Sequence, residues 1–244
     1  MSKLDNMRAF WDTKAQKNPL WYVTTILDYA KPDEEQFWQT GEDEVARVLA
    51  DAKCDGGEAA AEIGCGVGRL TRPLAKRFCH VHAFDVSPEM VAHAKRNLMS
   101  YPGVAASATS GDGTLPLPDA SIDFVLSMQV FHHIPDRTIT LRYIREAGRV
   151  LRPGGAIGFQ LRTCRLSAGP LARLERIARN TVEAARRRRR PPPADLDSAA
   201  WHGSRVLIGE IRRAARASGM QVESVRWLVK DGANIQVICR KRSA

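Results

Sequence analysis

The stretch that most limits what this chain can become is Ala59-Ala60-Ala61-Glu62-Ile63-Gly64-Cys65-Gly66-Val67-Gly68-Arg69. A short apolar run closed by an acid, then by glycines at every second position, reads as a buried strand turning sharply into a helix. Bare backbone at such a turn lets a nucleotide-like ligand approach the amide groups of a helix start. Glycine turns are common, and this one gains weight from three downstream segments at regular distances. His82-Ala83-Phe84-Asp85 comes after the next helix, Gly111-Asp112-Gly113 after the next strand, and Phe124-Val125-Leu126-Ser127-Met128 beyond that.

From residue 58 onward, strand and helix patterns alternate. Strands are expected at 58–63, 80–85, 104–109, 122–128 and 156–162, with helices at about 68–78, 88–99 and 136–151. Ser87-Pro88-Glu89 is a helix start, a capping residue followed by proline at the first helical position. Arg152-Pro153-Gly154-Gly155 reads as a stop that turns the chain into the next strand. Such alternation implies right-handed crossovers and a parallel sheet covered on both faces, with a ligand beyond the carboxyl ends of its strands. A helix at about 204–218 then precedes two strand-like runs, 221–227 and 234–239. The turn Lys230-Asp231-Gly232-Ala233 separates them, so the sheet closes with an antiparallel pair. Before residue 53 there is no good strand. Residues 1–52 read as a cap of helices broken at Pro19 and Pro32, with Pro32-Asp33-Glu34-Glu35 in a first turn.

At 244 residues and 44% hydrophobic content the chain is expected to form one main domain, 53–244, plus the cap. It has no apolar run long enough to cross a bilayer and no basic-then-apolar leader, which points to a cytoplasmic protein. Its five cysteines, Cys54, Cys65, Cys79, Cys164 and Cys239, are scattered without a CxxC pair, so neither a disulfide framework nor a metal site is expected. The net charge of +10 resembles a nucleic-acid footprint in total but not in distribution. Residues 165–190 hold nine arginines against two glutamates, a net +7 of that +10.

Taken together, the motifs resemble those of the class I S-adenosylmethionine-dependent methyltransferases. The resemblance covers residues 58 to 163 by motif and extends to about 240 by strand order. Glu62 to Gly68 is similar to the family's first motif, E/D-x-G-x-G-x-G, and differs from the dinucleotide fingerprint G-x-G-x-x-G, which argues against a dehydrogenase. The resemblance implies an α/β, Rossmann-like fold. Its mostly parallel seven-stranded sheet would carry a C-terminal antiparallel hairpin, an N-terminal helical cap and a helical insertion after the fifth strand. It also implies S-adenosyl-L-methionine as methyl donor and S-adenosyl-L-homocysteine as product.

For the donor, the resemblance implies that Asp85 accepts from both ribose hydroxyls. Asp112 would accept from the adenine amine, with Gly113 supplying an amide, Gly111 beside them and Val86 against the base. Gly64, Cys65, Gly66 and Gly68 would hold the methionine part, with Glu62 organising the turn. Ser127, Met128 and Tyr22 would reach the donor, while Trp21, Gln129, His132 and His133 would face the acceptor. His132 or His133 is the candidate general base, since imidazole titrates near neutrality; the alternative is that either histidine merely caps or packs its loop. Trp21 and Tyr22 have a competing role too, stapling the cap to the sheet.

Residues 165–201 read as a basic lid and linker. Ser167 to Pro170 starts a helix with Leu171, Leu174, Ala178, Thr181, Val182 and Ala185 on one face, and Arg186 to Arg190 run into three prolines. A solvated basic face competes with contact to an acidic substrate, an anionic membrane, RNA or a second subunit. Aromatic residues are absent from 165–190, so no base-stacking platform is visible. The expected activity is methyl transfer to oxygen or nitrogen of a small organic acceptor. The alternatives are an RNA methyltransferase holding phosphates with the arginine segment, and a non-catalytic donor-binding protein. A monomer or a homodimer is expected.

Overall fold

The computed structural model describes residues 2–24, 27–163, 203–228 and 234–243. The chain opens with three helices, α1 (Lys3–Lys17), α2 (Pro19–Val23) and α3 (Glu34–Asp51). Each start is set by side-chain capping of otherwise unpaired amides. The Ser2 hydroxyl accepts from Asp5 N–H at 3.1 Å while Asp5 accepts from Ser2 N–H at 2.8 Å. Asn18 caps α2 through Trp21 N–H, and Asp33 caps α3 through Gln36 N–H. Helix α3 therefore begins at Glu34, and Pro32 lies before its first turn rather than within it.

The sheet is built from β1 (Gly57–Ile63), β2 (Phe78–Asp85), β3 (Val104–Ala108), β4 (Ile122–Ser127), β5 (Leu151–Arg162), β6 (Met220–Trp227) and β7 (Asn234–Lys241). The intervening helices are α4 (Thr71–Leu74), α5 (Pro88–Asn97), α6 (Arg137–Val150) and α7 (Ile208–Ala217). The strand order is β3-β2-β1-β4-β5-β7-β6, parallel except for the two ladders of β7. This is the seven-stranded mixed sheet that the alternating pattern predicts.

Side chains alternate across the pleat, so each strand serves two cores. Ala60, Phe124, Leu126, Ala156 and Ile238 pack under Val45, Val48 and Leu49 of α3. Ala61, Val125, Ile157 and Phe159 face Tyr143, Ile144 and Ala147 of α6 and Ile211, Ala214 and Ala215 of α7. Helix α5 joins the α3 side, where Ala94 and Leu98 meet Cys65 and Ala83. The crossover order reverses between β1 and β4, and the open cleft at that reversal is where the site lies.

Two boundaries depart from expectation. The helix read at 68–78 is only Thr71–Leu74: Gly68 sits at φ 94°, Pro73 has no N–H to continue the ladder, and β2 already begins at Phe78. The stop at Arg152–Gly155 lies inside β5. The register jumps from Ile122 opposite Leu151 to Phe124 opposite Ala156, so the four residues bulge out, with Gly154 at φ 82°. Ser87 and Pro88 start α5 as expected, with Met90 N–H donating to the Ser87 hydroxyl at 3.1 Å. The insertion at 165–201, Cys164 and the turn 230–233 lie outside the described residues. Among the described residues no helix is long and apolar enough to cross a membrane.

Phe124 is fully buried and stacks on Phe78 with ring centroids 6.2 Å apart. Phe124→Ala should cost about 3–5 kcal/mol in denaturant unfolding. Met99→Ser, at a side chain 82% exposed, should change stability by less than about 0.5 kcal/mol.

Candidate functional site

Where β1 ends, the chain makes the turn its glycines require. Gly64, Gly66 and Gly68 have φ of 79°, 53° and 94°, which L side chains rarely adopt. Gly64 N–H and Cys65 N–H both donate to Phe84 O, at 2.7 and 2.9 Å, binding the turn to the tip of β2. A Cβ on Gly64 would stand 2.2 Å from a Val130 methyl, so the loop after β4 closes directly on bare backbone.

Asp85 ends β2 as the hub of this region. Its Oδ2 accepts from Gly66 N–H at 2.8 Å and its Oδ1 from Ser87 N–H at 2.9 Å. Burial raises the Asp85 pKa, the Ser87, Gly66 and Val86 amides pull it down, and Asp12 pushes it up again. Asp12 belongs to α1 and accepts from the Ser87 hydroxyl at 2.5 Å, so the cap is tied to the same corner.

Glu62 lies beneath the turn, 1% exposed, and accepts from the Thr71 hydroxyl at 2.6 Å. Burial pushes its carboxyl up to about 8, against the opposing pull of Thr71 and Arg69. Arg69 is itself buried and pairs with Glu44 of α3 at 2.7 Å. This ion pair fastens the third helix of the cap to the glycine turn.

These elements line an open cleft. Of the residues expected at the donor, the cleft brings together Tyr22, Glu62, Gly64, Cys65, Gly66, Asp85, Val86, Gly111 and Met128. Of those expected at the acceptor, it brings Gln129 and His133. Gln129 has φ 60°, a left-handed conformation uncommon outside glycine.

The other expected residues stand outside the lining. Gly68 packs toward Leu98 and Gly113 toward Arg142 and Ile139. The Ser127 hydroxyl donates to Ile63 O at 3.1 Å and joins the tips of β1 and β4. Trp21 packs edge-on against Tyr22 and Tyr29. His132 lies behind His133, ring centroids 4.0 Å apart, and its carbonyl accepts from Gly203 N–H. The Asp112 carboxylate is turned into its own loop, where one oxygen accepts from Ser110, Thr114 N–H and Thr114 Oγ1.

Sequence reasoning missed several lining residues: Met7, Val23, Arg69, Met90, Thr109 and Tyr143. Trp11 of α1 also lines the cleft and meets the His133 ring edge-on at 5.1 Å. The spacing of Met7, Trp11 and Ala15 on one face of α1 was the available signal. Among the described residues no three His, Cys, Asp or Glu side chains converge as a metal site would require.

A sheet of this order, with a glycine turn on β1, an acid at the tip of β2 and a cleft at the switch point, defines a Rossmann-like nucleotide-cleft protein. Residues 61–159 match the family described as "Methyltransferase domain". The sheet order and the N-terminal helices are those of the class I methyltransferase fold, and over residues 61–159 the chain resembles the S-adenosylmethionine-dependent methyltransferases. A 2-methyl-6-phytyl-1,4-hydroquinone methyltransferase of Synechocystis is 28% identical over 163 residues, 60% of this chain and 50% of that protein. A ubiquinone biosynthesis O-methyltransferase of Xanthomonas oryzae is 29% identical over 163 residues, 64% of this chain and 59% of that protein. The chain spans about half the length of the curated relatives it matches. The structure of a Synechocystis magnesium protoporphyrin IX methyltransferase with bound S-adenosylhomocysteine shares the fold, with TM-score 0.64 at 16% identity over 97% of this chain and 99% of that one.

The buried Glu62 makes a pH prediction. An acid whose folded pKa lies above its ordinary 4.5 takes up a proton on folding, so its contribution is complete below pH 4.5 and declines as pH rises to about 8. Glu62→Gln should remove this decline, narrowing the difference in Tm between pH 5 and pH 8.5. An unchanged difference would show that Glu62 is ionised in the fold.

Proposed function

We propose that the chain transfers the methyl group of S-adenosylmethionine to an oxygen or nitrogen of a small organic acceptor. The observation that carries this reading is the corner at Asp85, where a carboxylate, the glycine turn and the start of α5 converge on one open cleft. The residues present suit the donor. Asp85 keeps lone pairs on both oxygens for the ribose hydroxyls after accepting from Gly66 and Ser87. Gly64 and Gly66 leave room for the amino-acid part, and Glu62 lies below it. The two quinone-pathway relatives support a small acceptor for this chain.

When bound, S-adenosylmethionine supplies a methyl group already activated by a sulfonium with a neutral leaving group. The chain's own task is then to orient the partners and exclude water. Met7, Trp11 and Tyr22 from the cap roof the cleft over Ile63, Met128 and Val130, an apolar enclosure apart from its few polar groups. Gln129 orients the acceptor from the tip of β4. His133 takes the acceptor's proton on its imidazole where the attacking hydroxyl must lose one. Trp11 limits the freedom of that ring through their edge-on contact, and His132 supports it from behind.

Three measurements test this. Asp85→Ala should weaken S-adenosylhomocysteine binding at least about tenfold by calorimetry, the loss expected for charge-assisted hydrogen bonds; unchanged affinity would refute the ribose role. Incubation with donor and a fractionated metabolite extract should give methylated products by mass spectrometry. His133→Ala should lower turnover on a hydroxyl acceptor more than His132→Ala. Wild-type turnover by both variants across neutral pH would show that no histidine base operates.

A further inference from the structure

Helices α6 and α7 carry charge of one sign on their outer faces. Together they hold seven arginines, no lysine, and two acids, Glu146 and Glu210, a net +5 of the chain's +10. Their inner faces are fixed by the core, where Tyr143, Ile144 and Ala147 share a cluster with Ile211, Ala214 and Ala215. Lys241 of β7 donates to Gly148 O at 2.6 Å and to Ser218 O at 2.8 Å, which joins the two C-terminal ends. Helical spacing then sets what faces outward. Arg142, Arg145 and Arg149 fall at i, i+3 and i+7, and Arg212, Arg213 and Arg216 at i, i+1 and i+4. The result is two rows of arginine on helices packed about 8–10 Å apart.

The two acids of these helices do not balance the rows. Glu210 accepts from Leu207 N–H at 2.9 Å and faces Arg137 at 3.5 Å, while Glu146 pairs with Arg149 at 2.7 Å. Arg142 faces Asp112 at 3.7 Å. Arg145, Arg212, Arg213 and Arg216 are exposed and have no ion pair among the described residues. Elsewhere the surface places acids against its cations, as in Lys76 with Glu42, Arg152 with Asp123 and Arg240 with Glu223. Residues 165–190, in the sequence between β5 and α7, add a net +7 of the same sign. The remainder of the chain is therefore slightly acidic, and the basicity is confined to one part of the molecule.

That part adjoins the cleft. Helix α6 follows the loop that brings Gln129, Val130, His133 and Ile134 to the lining, and the segment before α7 is bonded to the same loop. Gly203 N–H donates to His132 O at 3.0 Å and Ser204 N–H to Ile134 O at 2.8 Å.

We propose that the α6–α7 face docks the protein on an anionic membrane surface, and that the acceptor is an apolar molecule drawn from that membrane. Arginine suits the partner, because its planar fork bonds phosphate oxygens in pairs. Two arginine rows on packed helices match a broad anionic surface, and no aromatic residue stands among their exposed positions to stack a base. The cleft agrees. Beside Gln129 and His133 its lining is Trp11, Met128, Val130 and Ile134, whereas a nucleic-acid acceptor would need hydrogen bonds along the edge of a base. Among the described residues these helices expose no large apolar side chain, so the contact is electrostatic and rests on the headgroups without insertion.

The docking face stands on its own charges, and the nature of the acceptor rests on the methyl-transfer reading. The test is co-sedimentation of the full chain, without donor, with vesicles of phosphatidylcholine alone or with about one third phosphatidylglycerol. The chain should pellet with the anionic vesicles only, and leave them as salt rises from about 0.1 M to about 1 M and the screening length falls from about 10 Å to about 3 Å. Replacing Arg212, Arg213 and Arg216 together by Gln should weaken this binding at least about tenfold with Tm unchanged, and the matching Lys variant should stay within about threefold of wild type. Equal pelleting with neutral vesicles, no pelleting with either, an undiminished Gln variant, or a Lys variant as weak as the Gln one would each overturn the docking. Total RNA bound more tightly than the anionic vesicles, and lost in the same Gln variant, would assign the face to nucleic acid instead. A chain that docks on vesicles but methylates nothing in a lipid extract would keep the face and sink the methyl-transfer reading.

Discussion

The architecture of the cleft depends on one carboxylate. Asp85 accepts from Gly66 in the turn after β1 and from Ser87 at the start of α5, so a single side chain sets the spacing of two adjacent strand tips and a helix. Burial opposes its ionisation, and the oriented amides offset part of that cost. The glycines matter for the same reason. Gly66 can present its N–H to Asp85 only at a positive φ, and Gly64 can lie under Val130 only without a Cβ. In the proposed reading, the side chain that organises this turn is also the one that reads the ribose diol.

The cap enters the site through two polar ties of different character. Asp12 reaches Ser87, which also donates to Asp85, and Glu44 reaches Arg69 of the glycine turn, so the cap is anchored beside that corner and contributes Met7, Trp11 and Tyr22 to the lining of the cleft. A buried ion pair such as Arg69 with Glu44 adds little net stability, because desolvation offsets the attraction, but removing one partner leaves a buried charge. Its consequence is positional: α3 cannot slide over the turn without uncovering that charge.

Much of this was legible in the sequence, for identifiable reasons. The glycine turn, the Ser87-Pro88 start and the alternation of strands are local effects of backbone sterics and capping, and they gave the order of elements and the acid at Asp85. Boundaries failed where a local rule met a tertiary one. Pro73 and Gly68 truncated the helix read at 68–78, and the Arg152–Gly155 stop proved to be a bulge inside a strand. The missed lining residues that lie on the longer helices share one property. Tyr143 and Met7 sit on amphipathic helices, where the periodicity that buries a side chain in a core is the same as that which aims it into a cleft. Asp112 lies outside the lining because Ser110 and Thr114, two hydroxyl neighbours at short range, take one of its oxygens as Asp turns commonly allow.

The central claim is that the corner at Asp85 holds the nucleoside of S-adenosylmethionine beneath the helical roof. The most direct measurement is a crystal structure of the full chain grown with S-adenosylhomocysteine. The account predicts the ribose hydroxyls within hydrogen-bonding distance of the Asp85 carboxylate and the amino-acid end over Gly64 and Gly66. A ligand bound with its ribose away from Asp85, or a cleft still empty at saturating ligand, would contradict it.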